Sequence, residues 1–414
     1  MLIKIKKTKK IKGSIDILGS KNSSLPIIAA SLLVNGIITL NNVPNIKDIN
    51  HFLCILEELD INYKFNNHKL IIYSNKIDNL NINSAYVKTF RGSYYLMGVL
   101  LSRYKKLSIN LPGGCDIGKR PIDYHLEGFK LLNTKLEFKD DLIYLNSDKL
   151  KGNIINLKSK SVGATLNILF ASLYAEGKTI INNPSIEPEV KDCLNFLIKL
   201  GFDIKDNNTN LEINGLNDII NIDLEYSIIP DRIEALSYTI LGLLLGKPLI
   251  INNINYDHIK TVIDLLIDNN ARISIGENSL VVRKSKIKSF SFETKPFPFI
   301  PTDIMQILGL LLIKGNKESF IKDNIYDNRY NSYIELNKLG CNIKQIDNVL
   351  YIKGVKKLKG NTLEAKDLRG ACALIISGLI SNNTTYIKNY EYVLRGYDDF
   401  INKLIKLGAK LNPL

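Results

Sequence analysis

The stretch Ser161-Val162-Gly163-Ala164-Thr165-Leu166-Asn167-Ile168-Leu169-Phe170-Ala171-Ser172-Leu173-Tyr174-Ala175-Glu176-Gly177 reads as a helix that is apolar on nearly every face, and Thr179-Ile180-Ile181-Asn182-Asn183 follows it as a short β-rich run. A helix with no polar face cannot lie on a surface, so surrounding layers must enclose it. The same combination recurs along the chain. Apolar helix-like segments start near Asn22, Arg91, Val162, Arg232, Asp303 and Arg369, spaced by 69, 71, 70, 71 and 66 residues, which defines an internal repeat. Gly36, Gly177, Gly246 and Gly315 stand at the ends of four of these segments, as helix C-termini favour. Runs such as Thr39-Leu40-Asn41-Asn42, Leu249-Ile250-Ile251-Asn252-Asn253 and Thr385-Tyr386-Ile387-Lys388-Asn389 then read as strands. Amphipathic outer helices come next, at Glu187 to Leu200 and Gly396 to Leu407, with charged residues on one side, and close on a Leu-Gly turn and another strand. Each unit is thus strand, helix, strand and outer helix. Three units can wrap three buried helices, and six make two similar α/β domains.

Composition narrows the class. With 414 residues, 45% of them hydrophobic, the chain can bury a large core. Its longest apolar stretches, Ala235 to Leu245 and Ile304 to Ile313, are well short of the roughly 20 residues that span a bilayer. Residues 1–13 alternate Lys with Ile and lack the apolar block of a signal peptide, so the expectation is a cytoplasmic protein with no membrane partner. The five cysteines include no C-x-x-C pair and the four histidines show no ligand spacing, which indicates neither a disulfide framework nor a metal site. Cys54, Cys193, Cys341 and Cys372 lie in apolar surroundings that suit a core role. The net charge of +14 is spread along a chain rich in Lys, Asn and Ile. It predicts an attraction for phosphorylated metabolites rather than a nucleic-acid partner.

Chemistry concentrates in two places. The segment Leu111-Pro112-Gly113-Gly114-Cys115-Asp116-Ile117-Gly118-Lys119-Arg120-Pro121 sets one thiol on a glycine-bounded loop beside two cations. The glycines let a ligand approach the main chain, and the cations suit an anion. The second place is the start of each inner helix, where Lys21-Asn22, Arg91, Ser161, Asp231-Arg232, Asp303 and Asp367-Leu368-Arg369 cluster. Helix N-termini expose unpaired N–H groups and about half a positive charge each. Capping accounts for Ser and Asp at such positions, but not for Lys21, Arg91, Arg232 or Arg369.

These residues, with Gly19-Ser20-Lys21-Asn22, Arg91-Gly92-Ser93, Ser161-Val162-Gly163-Ala164-Thr165, Ile229-Pro230-Asp231-Arg232-Ile233-Glu234-Ala235, Pro301-Thr302-Asp303, Asp327-Asn328-Arg329 and Arg395-Gly396-Tyr397, make the chain resemble the UDP-N-acetylglucosamine 1-carboxyvinyltransferase family of the EPSP synthase superfamily. The matches run in order from about Lys21 to the C-terminus. The resemblance implies two inside-out α/β barrel domains, residues 21–227 carrying the Cys115 loop and residues 1–20 with 228–414, and an active site in the cleft between them. It implies transfer of the enolpyruvyl group of phosphoenolpyruvate to the 3'-hydroxyl of UDP-N-acetylglucosamine with release of phosphate, without a cofactor, and it assigns no oligomeric state. Lys21, Arg120, Arg369 and Arg395 would bind phosphoenolpyruvate, with Asn22 touching both substrates. Arg91, Arg120, Pro121, Ile122, Asp123, Tyr124, Ser161, Val162, Gly163, Asp303 and Ile325 would line the nucleotide-sugar site. Cys115 would act as general acid toward the methylene carbon and as the target of the epoxide fosfomycin, and Asp303 would take or orient the hydroxyl proton.

Adding an alcohol across an enol ether needs one acid and one base flanking the double bond, and a thiol with a reference pKa of about 8.5 is mostly protonated at neutral pH. Some positions depart from the family pattern. Leu394 precedes Arg395 where Asp is usual, Met305 and Ile307 follow Asp303 where Gln is usual, and the Lys ahead of Ser161 is shifted by one residue. Two alternatives accompany this reading, 3-phosphoshikimate 1-carboxyvinyltransferase, which lacks the cysteine loop, and a non-catalytic relative that binds polyanions.

Overall fold

Each apolar segment forms a helix, and each helix is enclosed. In Val162–Ser172 every residue from Gly163 onward is buried, in Thr302–Ile313 every residue from Ile304, and in Leu368–Ile380 Arg369 through Leu379. Lys21–Ala30 and Arg232–Leu245 are as deeply set. The second segment differs at its start, where a 3-10 turn, Arg91–Tyr94, precedes the helix Tyr95–Tyr104. Hydroxyls inside these helices satisfy themselves on the preceding turn. Ser31 donates to the Ile27 carbonyl, Ser172 to Ile168 and Thr239 to Ala235, so they add no unpaired polar group to the core.

The computed structural model describes residues 1–111, 113, 122–326 and 329–414. Cys115, Arg120 and Pro121, with Asp327 and Asn328, lie outside the described residues. The chain divides into two compact units, one from Met1–Leu18 and Pro230–Leu414, the other from the described residues of 19–229. Each has its own apolar core, with Phe52, Phe90, Phe129, Phe170 and Phe196 in one and Tyr238, Tyr333, Leu374 and Phe400 in the other.

Among the described residues, each unit holds three four-stranded sheets. Within a sheet, the strand that follows an inner helix pairs in parallel with one neighbour and antiparallel with another. Ile154–Asn156, the helix Val162–Ser172 and Lys178–Asn182 form such a parallel βαβ crossover, and the hairpin Asp203–Asp206 with Asn210–Asn214 completes that sheet. The sequence predicts one strand after each outer helix; two follow all but the last outer helix, Phe400–Lys406, which is followed by Leu411–Pro413 alone. The N-terminal strand Leu2–Lys6 lies between Thr384–Lys388 and Leu411–Pro413, so the start of the chain completes the sheet of its end. Leu224–Ser227 likewise pairs in parallel with Gly36–Asn41.

Two backbone features mark the repeat. Beyond each outer helix one residue adopts positive φ, at Asp60, Asn133, Gly201, Asn270, Gly340 and Gly408. Gly, Asn and Asp are the residues that tolerate this conformation, so the Leu-Gly turn of the sequence is one version of a turn that Asp or Asn makes elsewhere. The recurring Asn pairs have a matching purpose. Asn42, Asn183 and Asn253 sit at φ 61, 57 and 54, and their side-chain amides donate to the carbonyls of Ile228, Leu157 and Ile17. Each ties off the end of a parallel strand pair.

The glycine reading of the helix ends is corrected at two positions. Gly36 and Gly177 have positive φ, but Gly246 is extended (φ −65, ψ 137) and opens the next strand, and Gly315 is not among the positive-φ glycines. Helix passes directly into strand at Gly246, which leaves no room for a left-handed cap.

Candidate active site

In the unit of residues 19–229, Lys21 is the first residue of its helix. The approach to it is fixed because a Cβ on Gly19 would lie 1.8 Å from the carbonyl oxygen of Asn42. The Lys21 ammonium is 2.6 Å from Oδ2 of Asp48, in the first turn of the outer helix Lys47–Glu58. Asn22 is half-buried beside it. Two residues on, the Ser23 hydroxyl donates to Asp192, which also accepts from the Tyr226 hydroxyl at 2.6 Å. Burial raises the Asp192 carboxyl above its ordinary range, while the bonds from Ser23, Tyr226 and the Ile229 amide act in the opposite direction.

A second group forms around Arg91. Its guanidinium lies 5.3 Å from the Tyr94 ring, and Tyr94 stands edge-on to His125 at 4.8 Å. A Cβ on Gly163 would come within 2.4 Å of the Tyr94 hydroxyl and 2.9 Å of the His125 ring, so only glycine fits there. Ser161 caps the same helix by accepting from the Ala164 amide, and Val162 is half-buried beside it. Ile122 stands just before the helix Asp123–Leu131, where Asp123 is exposed and Tyr124 half-buried. The structure thus brings Arg91 and Gly163 together through Tyr94 and His125, neither of which the sequence had singled out for a role.

Burial first, and Arg91 second, push His125 down to about 3, and its Nδ1 lies 3.1 Å from the Asn167 amide nitrogen, which donates to the neutral ring. The folded protein therefore binds fewer protons at this site than the unfolded chain, whose histidine titrates near 6.5. The stability His125 contributes is full above that value and falls as pH drops toward 3. Melting temperatures measured from pH 7 to pH 4 should fall less steeply for His125→Gln than for the wild type; equal slopes would contradict the assignment.

In the unit that includes residues 230–414, two aspartates are caps. Asp231 accepts from the amides of Ile233 and Glu234, and Asp367 from those of Arg369 and Gly370. Asp303, in the first turn of Thr302–Ile313, has a different place. Its Oδ1 is 2.7 Å from Nη2 of Arg329 and its Oδ2 is 3.5 Å from Nη2 of Arg369. Both arginines are buried, at 5% and 2% exposure. Arg329 also donates to Thr302, which donates to Asp323, and the Arg369 guanidinium lies 5.0 Å from the Tyr397 ring. Burial works against both charges, but Asp303 and Tyr326 beside Arg329, and Tyr397 and Asp303 beside Arg369, hold both above the ordinary arginine value. Nε of Arg329 and Nε and Nη1 of Arg369 are buried without a hydrogen-bond partner among the described residues. Unmatched buried guanidinium donors call for an anion.

The remaining candidates are spread more widely. Arg395 ends the 3-10 turn Tyr390–Arg395 and is half-buried, and Leu394 beside it packs against the apolar core. Ile325 is exposed, its amide donating to Asp323. Arg232 lies 5.6 Å from the Phe297 ring. In the glycine-bounded loop, Gly113 is pressed on protein rather than open to a ligand, since a Cβ there would meet the Lys88 carbonyl oxygen at 1.6 Å. Among the described residues, no group of three or more His, Cys, Asp or Glu could hold a metal ion, and no helix is long and apolar enough to cross a membrane.

The family model described as EPSP synthase (3-phosphoshikimate 1-carboxyvinyltransferase) matches residues 5–404. The chain belongs to the EPSP synthase family. Within it, UDP-N-acetylglucosamine 1-carboxyvinyltransferase of Pelagibacter ubique is 39% identical over 408 residues, covering 98% of this chain and 97% of the relative. UDP-N-acetylglucosamine 1-carboxyvinyltransferase 2 of Staphylococcus epidermidis is 37% identical over 413 residues, covering 99% and 98%. Among solved structures, the enolpyruvyl transferase NikO from Streptomyces tendae superposes with a TM-score of 0.91 at 22% identity, over 99% of this chain and 98% of that one. The likeness to NikO establishes the fold, two inside-out α/β barrels of the EPSP synthase family.

Arg329 and Asp48, like Tyr94 and His125, are residues that the sequence left without a role. Arg329 lies in the motif Asp327-Asn328-Arg329, whose sequence carries no sign of the carboxylate that its side chain faces. Asp48 gave no signal beyond being an acid at the start of an outer helix.

Proposed function

We propose that the protein transfers the enolpyruvyl group of phosphoenolpyruvate to the 3'-hydroxyl of UDP-N-acetylglucosamine and releases phosphate, the committed step of peptidoglycan synthesis. The observation that carries this reading is the Asp303 carboxylate held between Arg329 and Arg369, while Nε of Arg329 and Nε and Nη1 of Arg369 find no partner among the described residues. A carboxylate beside two cations stays ionised and can accept a proton from the attacking hydroxyl. The spare donors of Arg369 suit the charge that gathers on the departing phosphate. Full-length relatives at 37% and 39% identity that bear the corresponding name support the choice of acceptor.

In this reading Lys21, Arg120 and Arg395 hold phosphoenolpyruvate, and Asn22 meets both substrates. Arg91, residues 120–124, Ser161 to Gly163 and Ile325 line the nucleotide-sugar site. Cys115 delivers a proton to the methylene carbon as the hydroxyl oxygen attacks the neighbouring carbon. Phosphate then leaves as the same methylene carbon gives up a proton, which restores the double bond in the product. Both substrates are multiply charged and do not cross bilayers, so we place the enzyme in the cytoplasm, where cell shape and division would depend on it.

Phosphate release decides between acceptors. With phosphoenolpyruvate present, release is expected with UDP-N-acetylglucosamine and not with shikimate 3-phosphate. The reverse result would favour 3-phosphoshikimate 1-carboxyvinyltransferase, the description of the family model. Release with neither would leave the polyanion-binding relative.

A further inference from the structure

Met305 and Ile307 occupy the positions where the family resemblance leads one to expect glutamines, and both are fully buried in the apolar core. Between them stands Gln306, also fully buried. It is three residues beyond Asp303 and therefore on the same side of the helix. Its amide nitrogen donates to the carbonyl oxygen of Arg329 at 3.0 Å and to Oδ2 of Asp367 at 3.3 Å. Both donor positions are thus used, and both acceptors belong to the segments that carry the arginines facing Asp303. Arg329 is held through its own backbone. Arg369 is held through its cap, because the other oxygen of Asp367 accepts from the Arg369 amide at 3.0 Å. Packing leaves little slack at this point, since a Cβ on Gly370 would meet Asp367 at 2.7 Å and the Gln306 Oε1 at 3.2 Å.

We infer that Gln306 is a positioning residue that sets Arg329 and Arg369 against Asp303 and so keeps that carboxylate ionised for the reaction. This rests on the proposal that Asp303 is the base. A buried polar side chain that bridges two segments specifies their relative placement, because an apolar replacement leaves the Arg329 carbonyl and one Asp367 oxygen without this donor. Arg329 and Arg369 face Asp303 directly. Behind them, Tyr326 and Asp367 act on Arg329, Tyr397 and Asp231 act on Arg369, and Asp323 reaches the site through Thr302. Loosening either arginine weakens the preference for carboxylate, and activity must then be lost first on the acid side.

The test compares kcat against pH, at saturating substrates, for the wild type, Gln306→Met and Gln306→Asn. Met keeps the volume but removes both hydrogen bonds; Asn keeps the amide but is too short to span both acceptors. Titration of the substrates is common to all three proteins, so a difference between their profiles belongs to the enzyme. For both variants the acid limb should move up by about one unit, read as a roughly tenfold lower kcat below the limb with the alkaline plateau kept. If Gln306→Met does not fold, Gln306→Asn decides. Unmoved limbs, or a loss uniform across pH, would make Gln306 a packing residue only and overturn the inference. Asp303→Asn assayed alongside separates the two claims: should it keep the wild-type rate, the assignment of the base fails, whatever Gln306 does.

Discussion

Asp303→Asn should lower turnover by about 10² to 10⁴, the range a positioned base contributes. Asn keeps the size of the side chain and its place in the first helical turn but cannot take a proton from the acceptor hydroxyl. The structure adds a cost that the sequence did not suggest. Asp303 is the anion that faces both Arg329 and Arg369, and each of those is almost fully buried. Removing its charge leaves two buried cations less well compensated, which can cost about 3 kcal/mol where one partner of a buried pair is lost. Rates must therefore be expressed per folded molecule, with the melting temperature measured alongside. Inorganic phosphate should raise the melting temperature of the variant more than that of the wild type, because it can supply part of the missing negative charge. A variant that keeps more than about a tenth of the wild-type turnover would show that Asp303 is not the base.

The buried helices were legible because their signal is local. A segment with no polar face admits few placements, and six of them at a near-constant interval require an enclosing architecture. Strand count was harder to read. The hairpin Tyr63–Asn66 with Lys69–Ser74 is short and turns through Asn67 and His68 in positive-φ backbone rather than through a conspicuous glycine. The pairing of Leu2–Lys6 with strands almost 400 residues away in sequence has no local signature at all; it entered through family resemblance alone.

The site shows the same division between local and distant. Lys21, Arg91, Arg232 and Arg369 could be picked out as charges that helix capping does not need, and Asp303 as a charge at the start of an apolar helix. Their partners could not, because Asp48, Tyr94, Arg329 and Tyr397 are brought to them by tertiary packing. Gln306 shows how a departure from a family pattern can mislead when each position is taken singly. Met305 and Ile307 look like lost polar support, yet the amide between them bridges the segments that carry both arginines.

Cys115→Ala should lose activity and Cys115→Asp should keep a measurable part of it, because the proposed work of this residue is to deliver a proton and a carboxylic acid can do that where a methyl group cannot. The pair separates chemistry from packing. Fosfomycin, the epoxide inhibitor that the resemblance associates with this cysteine, should inactivate the native enzyme and spare the Asp variant, which has no sulfur nucleophile. The other thiols make the labelling test selective. Cys193 and Cys372 are fully buried; burial drives the Cys193 thiol well above its ordinary value and pushes Cys372 up to about 12. Cys341 is pushed up to about 12 by burial, against the opposing effect of Lys314. Thiols held protonated in this way are poor nucleophiles, which leaves the half-buried Cys54 as the competitor to watch. Mass spectrometry of the treated protein should find the adduct on the peptide that contains Cys115. A label on Cys54 instead, or normal turnover by the Ala variant, would remove Cys115 from the mechanism and leave the proton at the methylene carbon to another donor.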